Sequence, residues 1–211
     1  MASRKMRGFS MLELTTVLGV SVVLTATFAL SYQPLIQQQH VTTAYNTVLM
    51  ALRRAHDQSM ADMRVYQVTF SNPVPSVNGG TITVIQAGNS LATNLLSVSL
   101  PPDVTFHIEP GIPTSPTTAP TTPDGFGSAA SFFDFNQPPS GTGGGSVIYF
   151  YPNGSAQNAG PPAGSVDNGV VYFGMPGKLS SCRAITVWGY TGRVRGWRLS
   201  QNGAQWRWVE N

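Results

Sequence analysis

Cysteine, charge and histidine are all scarce in this 211-residue chain, and each scarcity closes off a class of function. The single cysteine, Cys182, excludes an internal disulfide and any cysteine-built metal site, and it reads as a buried small hydrophobe. Only 10% of residues are charged, which suits neither a solvated helical bundle nor a highly charged disordered chain. The three histidines, His40, His56 and His107, are not paired at metal-ligand spacing. No Gly-x-Ser-x-Gly elbow or His-Glu-x-x-His run occurs, and the Gly-Lys pair of "MPGKLS" is followed by Leu179 where a phosphate loop needs Ser or Thr. The chain therefore reads as a non-enzyme with no metal site and no cofactor.

What is present is a core-forming share of apolar residues, 41%, together with 22 glycines and 16 prolines, a balance that favours strands and exposed turns. The net charge of +3 is segregated. Arg4, Lys5 and Arg7 stand in the first eight residues. Residues 9–177 carry a net −5, and Lys178 to Asn211 a net +5.

Phe9 to Leu30 is an apolar run that, as a helix, spans about 33 Å, enough to cross a hydrocarbon core of roughly 30 Å. Its one charge is Glu13. A carboxylate at the bilayer centre costs on the order of 3 kcal/mol, so it needs a partner or a place near the interface. An ordinary secretion signal, cut at the small residues Ala29 to Ser31 to release a soluble β domain, gains nothing from such a residue.

The residues "RGFSMLE" resemble the processing signature of prepilins: a short basic leader ending in Gly8, an aromatic Phe9 after the cut, and a glutamate, Glu13, as fifth residue of the mature chain. The resemblance is to type IV pilins and the pseudopilins of type II secretion. It implies a membrane-embedded prepilin peptidase that cleaves after Gly8 and methylates the Phe9 amine. Glu13 would then pair with the amine of a neighbouring subunit, each relieving the other's desolvated charge.

Beyond the apolar run, Pro34 removes a backbone donor and is expected to kink or interrupt the helix. Val41, Tyr45, Val48, Leu52 and Ala55 then recur at helical spacing and predict one buried stripe. His56 lies beside that stripe and reads as partly buried, and His40 and His107 read as isolated. From Arg64 the period becomes two, and "RVYQVTF", "GTITVIQ", "LLSVSL", "DVTFHI", "SFFDF", "SVIYFY", "GVVYF", "RAITVWGY" and "GRVRGWRL" read as strands of an antiparallel sheet or sandwich. The predicted fold class is thus α+β: a long, pilin-like N-terminal helix, transmembrane then amphipathic, followed by a β domain. Residues 1–8 read as leader, 9–31 as the membrane helix, 32–63 as its amphipathic continuation and 64–211 as the β-rich domain. Residues 109–130, with "PGIPTSPTTAPTTPDGFG", read as an exposed and partly disordered loop. "NGS" at Asn153 fits a glycosylation sequon but more economically a turn.

A second resemblance covers Val147 to Arg195. "VIYFYPNGSAQNAG", "GVVYF" and "CRAITVWGYTGRVR" are similar to the C-terminal pattern of the GspH/FimT group of pseudopilins and minor pilins. It implies a filament subunit whose partners are other pilins, the peptidase and the bacterial inner membrane, with a single span and the C-terminal domain in the periplasm or outside the membrane. Both a secretion pseudopilus and a type IV pilus fit. In the same group a Gly-Arg-x-Arg motif is associated with DNA capture, and "GRVR" at Gly192 to Arg195 matches it. Arg193 and Arg195 fall on one side of an extended strand. Arg198, Arg183, Lys178 and Arg207 share the basic segment, with Trp188, Tyr190, Trp197, Trp206 and Trp208 between them. Arginines neutralise phosphates and aromatic faces stack on bases, which makes DNA the alternative partner. A solvated strand face is the competing reading. On either one, Arg193 and Arg195 are surface charges whose exchange for Gln is expected to leave the fold intact.

Overall fold

In the computed structural model the described residues are 10–72, 79–88, 94–127, 131–137, 146–161 and 164–211. The chain divides between Gln39 and His40 into two units. One helix, α1 (Met11–Ala61), contributes to both, and of the expected kink or interruption at Pro34 the interruption does not occur, since the proline lies inside the helix. The helix also runs unbroken through residues 29–31.

Among the described residues of the first unit the large apolar side chains are exposed: Met11, Leu12, Leu14, Leu18, Val22, Leu24 and Phe28 are all at least 60% so. The hydroxyls among them turn inward along the helix. Thr15, Ser21 and Thr25 donate to the carbonyls of Leu12, Val17 and Ser21 at 2.8–2.9 Å. Such back-bonding leaves no side-chain donor unsatisfied when the surroundings are hydrocarbon. By length and composition this helix can cross a membrane.

In the second unit Val41, Ala44, Tyr45, Val48, Ala51, Leu52 and Ala55 are buried, which includes all five residues of the stripe predicted from spacing. They share a core with two antiparallel sheets. The first sheet has the order β3-β2-β1-β5-β6, from β1 (Tyr66–Ser71), β2 (Thr81–Gln86), β3 (Asn94–Ser99), β5 (Val147–Phe150) and β6 (Ala156–Gln157). The second has the order β10-β9-β8-β7-β4, from β4 (Phe133–Gln137), β7 (Asn168–Phe173), β8 (Arg183–Val187), β9 (Val194–Asn202) and β10 (Gln205–Glu210). Gly196 of β9 lies so close to the Tyr45 ring of α1 that a Cβ there would overlap it. The glycine sets how near that strand comes to the helix.

Two strand expectations change. "DVTFHI" makes only an isolated bridge, Thr105 to Gly174, because Asn72 takes both the carbonyl and the amide of Phe106 with its side-chain amide. Conversely, the tail folds back as β10 through the two-residue turn Gly203-Ala204, where Gly203 has φ +62°. A glycine at the first of two loop positions is the pattern of a two-residue hairpin turn.

The largest difference is the Thr/Pro-rich segment. Residues 109–127 form a strap rather than a disordered loop: Ile112, Pro113, Thr122, Pro123, Phe126 and Gly127 are buried, and Ser115 bridges Thr121. Ile112 and Phe126 join Val170, Tyr172, Cys182, Ala184, Leu199 and Trp208 in a second small core. Alternation explains it. Val171, Phe173 and Ile185 enter the main core, so Val170, Tyr172 and Ala184 face the other way and need a cover of their own. Prolines stiffen the strap, while its two large apolar residues, Ile112 and Phe126, dock it. Residues 128–130 of the predicted loop lie outside the described residues.

Candidate functional site

Of the three processing residues, Gly8 and Phe9 lie outside the described residues. Glu13 occupies the first turn of α1, where a carboxylate complements the partial positive charge of a helix start. It is exposed among exposed apolar neighbours and makes no ion pair among the described residues.

The basic segment is split by the sheet it belongs to. In the β8–β9 register Arg183 pairs with Arg198, and Thr186 with Arg195. The offset of three residues between Arg183 and Thr186 puts these two pairs on opposite faces. Arg183 donates to the carbonyls of Ser180 and Cys182 at 3.1 and 2.9 Å. Burial, with the Arg198 charge adding to it, holds its guanidinium below the usual arginine range. Lys178 is exposed ahead of a short 3-10 turn, Leu179–Ser181. Arg207 is exposed and lines a cleft with Pro120 and Thr121 of the strap and Asn202 and Gln205 of the β9–β10 turn. The six basic residues therefore do not form one patch.

Arg193 is exposed in the turn that joins β8 to β9, which the Trp188 amide closes by donating to the Arg193 carbonyl at 2.9 Å. Gly192 before it has φ +59°, and a Cβ there would run into the His56 ring and the Gly154 carbonyl. The glycine of the Gly-Arg-x-Arg motif thus answers a backbone need. His56 is partly buried, edge-on to Phe150 with ring centroids 5.7 Å apart. At the tip of the same turn Tyr190 is 82% exposed and Trp188 38%. The other tail tryptophans are less available: Trp208 is in the small core, Trp206 packs against it, and Trp197 donates its indole N–H to Thr186 Oγ1 at 3.1 Å.

Arg195 has a partner that the sequence did not announce. Its Nη1 donates to Asp124 Oδ1 at 3.1 Å, and Glu210 stands 3.6 Å from its Nε. Asp124 comes from the strap, in the left-handed region at φ 53°, which Asp tolerates better than most residues. Its side chain is only 5% exposed. It also accepts from Thr186 Oγ1 at 2.5 Å and from Trp188 Nε1 at 3.1 Å. The Arg195 guanidinium lies 5.8 Å from the Trp188 ring centre, and Phe126 meets that ring edge-on at 5.0 Å. Arg195 is therefore not a free surface charge.

His40 and His107 also acquire partners, Asp103 at 2.8 Å and Glu109 at 2.9 Å. The Gly177 amide donates to the same Glu109 oxygen. Among the described residues no cluster of three or more His, Cys, Asp or Glu is placed to hold a metal. At Asn153 the side-chain oxygen accepts from the amide and hydroxyl of Ser155 at 3.0 and 2.7 Å, which is the geometry of the turn reading.

Fold and sites together define an α+β protein in which an exposed apolar helix precedes a two-sheet β domain. No family model matches the chain, and no curated protein matches it. It is similar to the solved structure of the type IV minor pilin FimU of Pseudomonas aeruginosa (strain PAO1), at 13% identity over 76% of this chain and 90% of that one, with a TM-score of 0.40. A likeness that distant assigns no function, and the chemistry of this chain's own residues has to do so.

Proposed function

We propose that this chain is a structural subunit of a type IV pilus or a type II secretion pseudopilus, cleaved by prepilin peptidase after Gly8 and anchored in the bacterial inner membrane by residues 9–31. Residues 32–63 carry the helix into the β-rich domain, residues 64–211, in the periplasm or outside the membrane. The observation that carries the reading is Glu13: a carboxylate in the first turn of a helix whose large apolar side chains from Met11 to Phe28 are exposed. Neighbouring helices would cover those side chains, and the Phe9 amine of a neighbour would neutralise the carboxylate. Intact-mass measurement of the protein purified from membranes tests it. The expected mass is that of residues 9–211 plus one methyl group, and a chain starting near Tyr32 or at Met1 would refute it.

DNA binding is a second reading, favoured by one observation. The β8–β9 turn presents Tyr190, Trp188 and Arg193 together at the surface, an aromatic and cationic tip of the kind that holds unpaired bases and phosphates. Fluorescence anisotropy of a labelled oligonucleotide with the full chain in nonionic detergent tests this reading. Arg193→Gln should weaken binding to every sequence alike and reduce the salt slope by about one unit, whereas absence of binding by the wild type at low salt removes the reading.

A further inference from the structure

Thr186, Trp188 and Arg195 converge on one carboxylate. A hydroxyl, an indole N–H and a guanidinium donate to Asp124 at 2.5, 3.1 and 3.1 Å, and the group they hold is almost wholly withdrawn from solvent. Three donors aimed at one anion, beside an aromatic face, form an anion site. In this chain it is filled from within, and it borders the exposed tip formed by Trp188, Tyr190 and Arg193. We propose that this cradle is a phosphate site for a nucleic-acid strand held at that tip, and that Asp124 of the strap occupies it in place of the phosphate. The proposal rests on the DNA reading above and assigns it a specific residue: Asp124 sets how many arginines the strand meets.

Several features make an exchange feasible. Around Asp124 the strap is docked by the buried Thr122, Pro123, Phe126 and Gly127, while its two amide bonds there, Gly125 to Thr122 and Phe126 to Pro123 at 3.0 and 2.9 Å, close within the strap and do not tie it to the sheet. Arg195 keeps a second carboxylate, Glu210, at 3.6 Å, so it stays partly neutralised when Asp124 leaves. Tyr190, 82% exposed at the tip, offers a ring face to a base rather than a side chain suited to an acidic peptide, which favours nucleic acid over protein as the source of the anion.

Asp124→Asn tests the proposal, because the amide oxygen still accepts from Thr186 and Trp188 while the charge that neutralises Arg195 is gone. Affinity of the full chain in detergent for a labelled oligo-dT of about 20 nucleotides is measured by anisotropy across a salt series. One added phosphate contact should tighten binding on the order of five- to tenfold at about 50 mM salt, with a steeper salt slope. A general charge effect is separated by double-mutant cycles. The gain should vanish when Asp124→Asn is made in an Arg195→Gln background and persist in an Arg207→Gln background.

An equal gain in both backgrounds, or no gain, overturns the proposal. If there is no gain yet wild-type binding falls with Arg193→Gln, the DNA reading survives alone. If neither protein binds, both fail. Arg195-dependent binding of a poly-glutamate peptide by Asp124→Asn, with none of the oligonucleotide, would reassign the cradle to an acidic protein. Should Asp124→Asn melt prematurely, hydrogen exchange on the wild type decides: saturating oligonucleotide should speed exchange at the Gly125 and Phe126 amides, and unchanged or slower exchange refutes displacement.

Discussion

Removing the charge of Arg195 differs in kind from removing that of Arg193, although a single residue separates them. Arg193→Gln alters an exposed turn side chain and should change stability by less than about 0.5 kcal/mol. Arg195→Gln strands Asp124, a carboxylate 5% exposed, without its cation. Charge-assisted hydrogen bonds are worth about 1.5–3 kcal/mol, and loss of this one should lower the melting temperature by several degrees in a chain of this size. Thermal denaturation of the two single variants followed by circular dichroism measures the difference, and equal melting temperatures would show that the Asp124 contact adds nothing. Cys182 makes a second residue-scale prediction. Burial, with the Glu109 charge adding to it, pushes its thiol up to about 12, so almost no thiolate exists at pH 8. A thiol-disulfide reagent at pH 8 should therefore leave the native protein unlabelled and label one thiol per chain in denaturant.

The strap is the element whose character was least legible. Its composition is that of a disordered linker, and nothing within residues 109–127 compensates locally for the entropy of ordering them. The signal lay in β7. "VVYF" is a continuous apolar run rather than an alternating one, the mark of a strand covered on both faces, and Ile112 and Phe126 were the apolar residues available to cover it. Phe126→Ala removes the ring from between the small core and Trp188 and should cost about 3 kcal/mol, the low end for a Phe truncation because the ring sits at the edge of that core. Limited proteolysis should then cut within residues 112–126 faster than in the wild type. An unchanged cleavage rate would mean that the strap is held without this anchor.

For the molecule as a whole, the exposed apolar helix and its carboxylate have no resolution inside one chain. Glu13→Val removes the charge that is costly in a bilayer, on the order of 3 kcal/mol at its centre, so insertion and cleavage should proceed at least as well as in the wild type. On the proposed role, incorporation into filaments should fall steeply, because the partner proposed for a neighbour's Phe9 amine is gone. Cross-linking or co-purification with companion pilins reads this out, and normal incorporation would assign Glu13 another role.

The amino-acid sequence by itself determined the long helix, its buried stripe and most of the strands. These are local patterns: a period of 3.6 or 2 needs no distant partner to be read. The turn that makes β10 is local too, with Gly203 at the first of its two positions. Tertiary structure alone decided that the six basic residues of the tail are divided between surfaces, that the second sheet carries a separate small core under the strap, and that Arg195 is held by a carboxylate 71 residues away in the chain. Strand register sets which arginines share a face, and the strap's path sets which of them meets a carboxylate. Both depend on packing across the whole β domain, where the free energy of a contact is set by residues far apart in sequence.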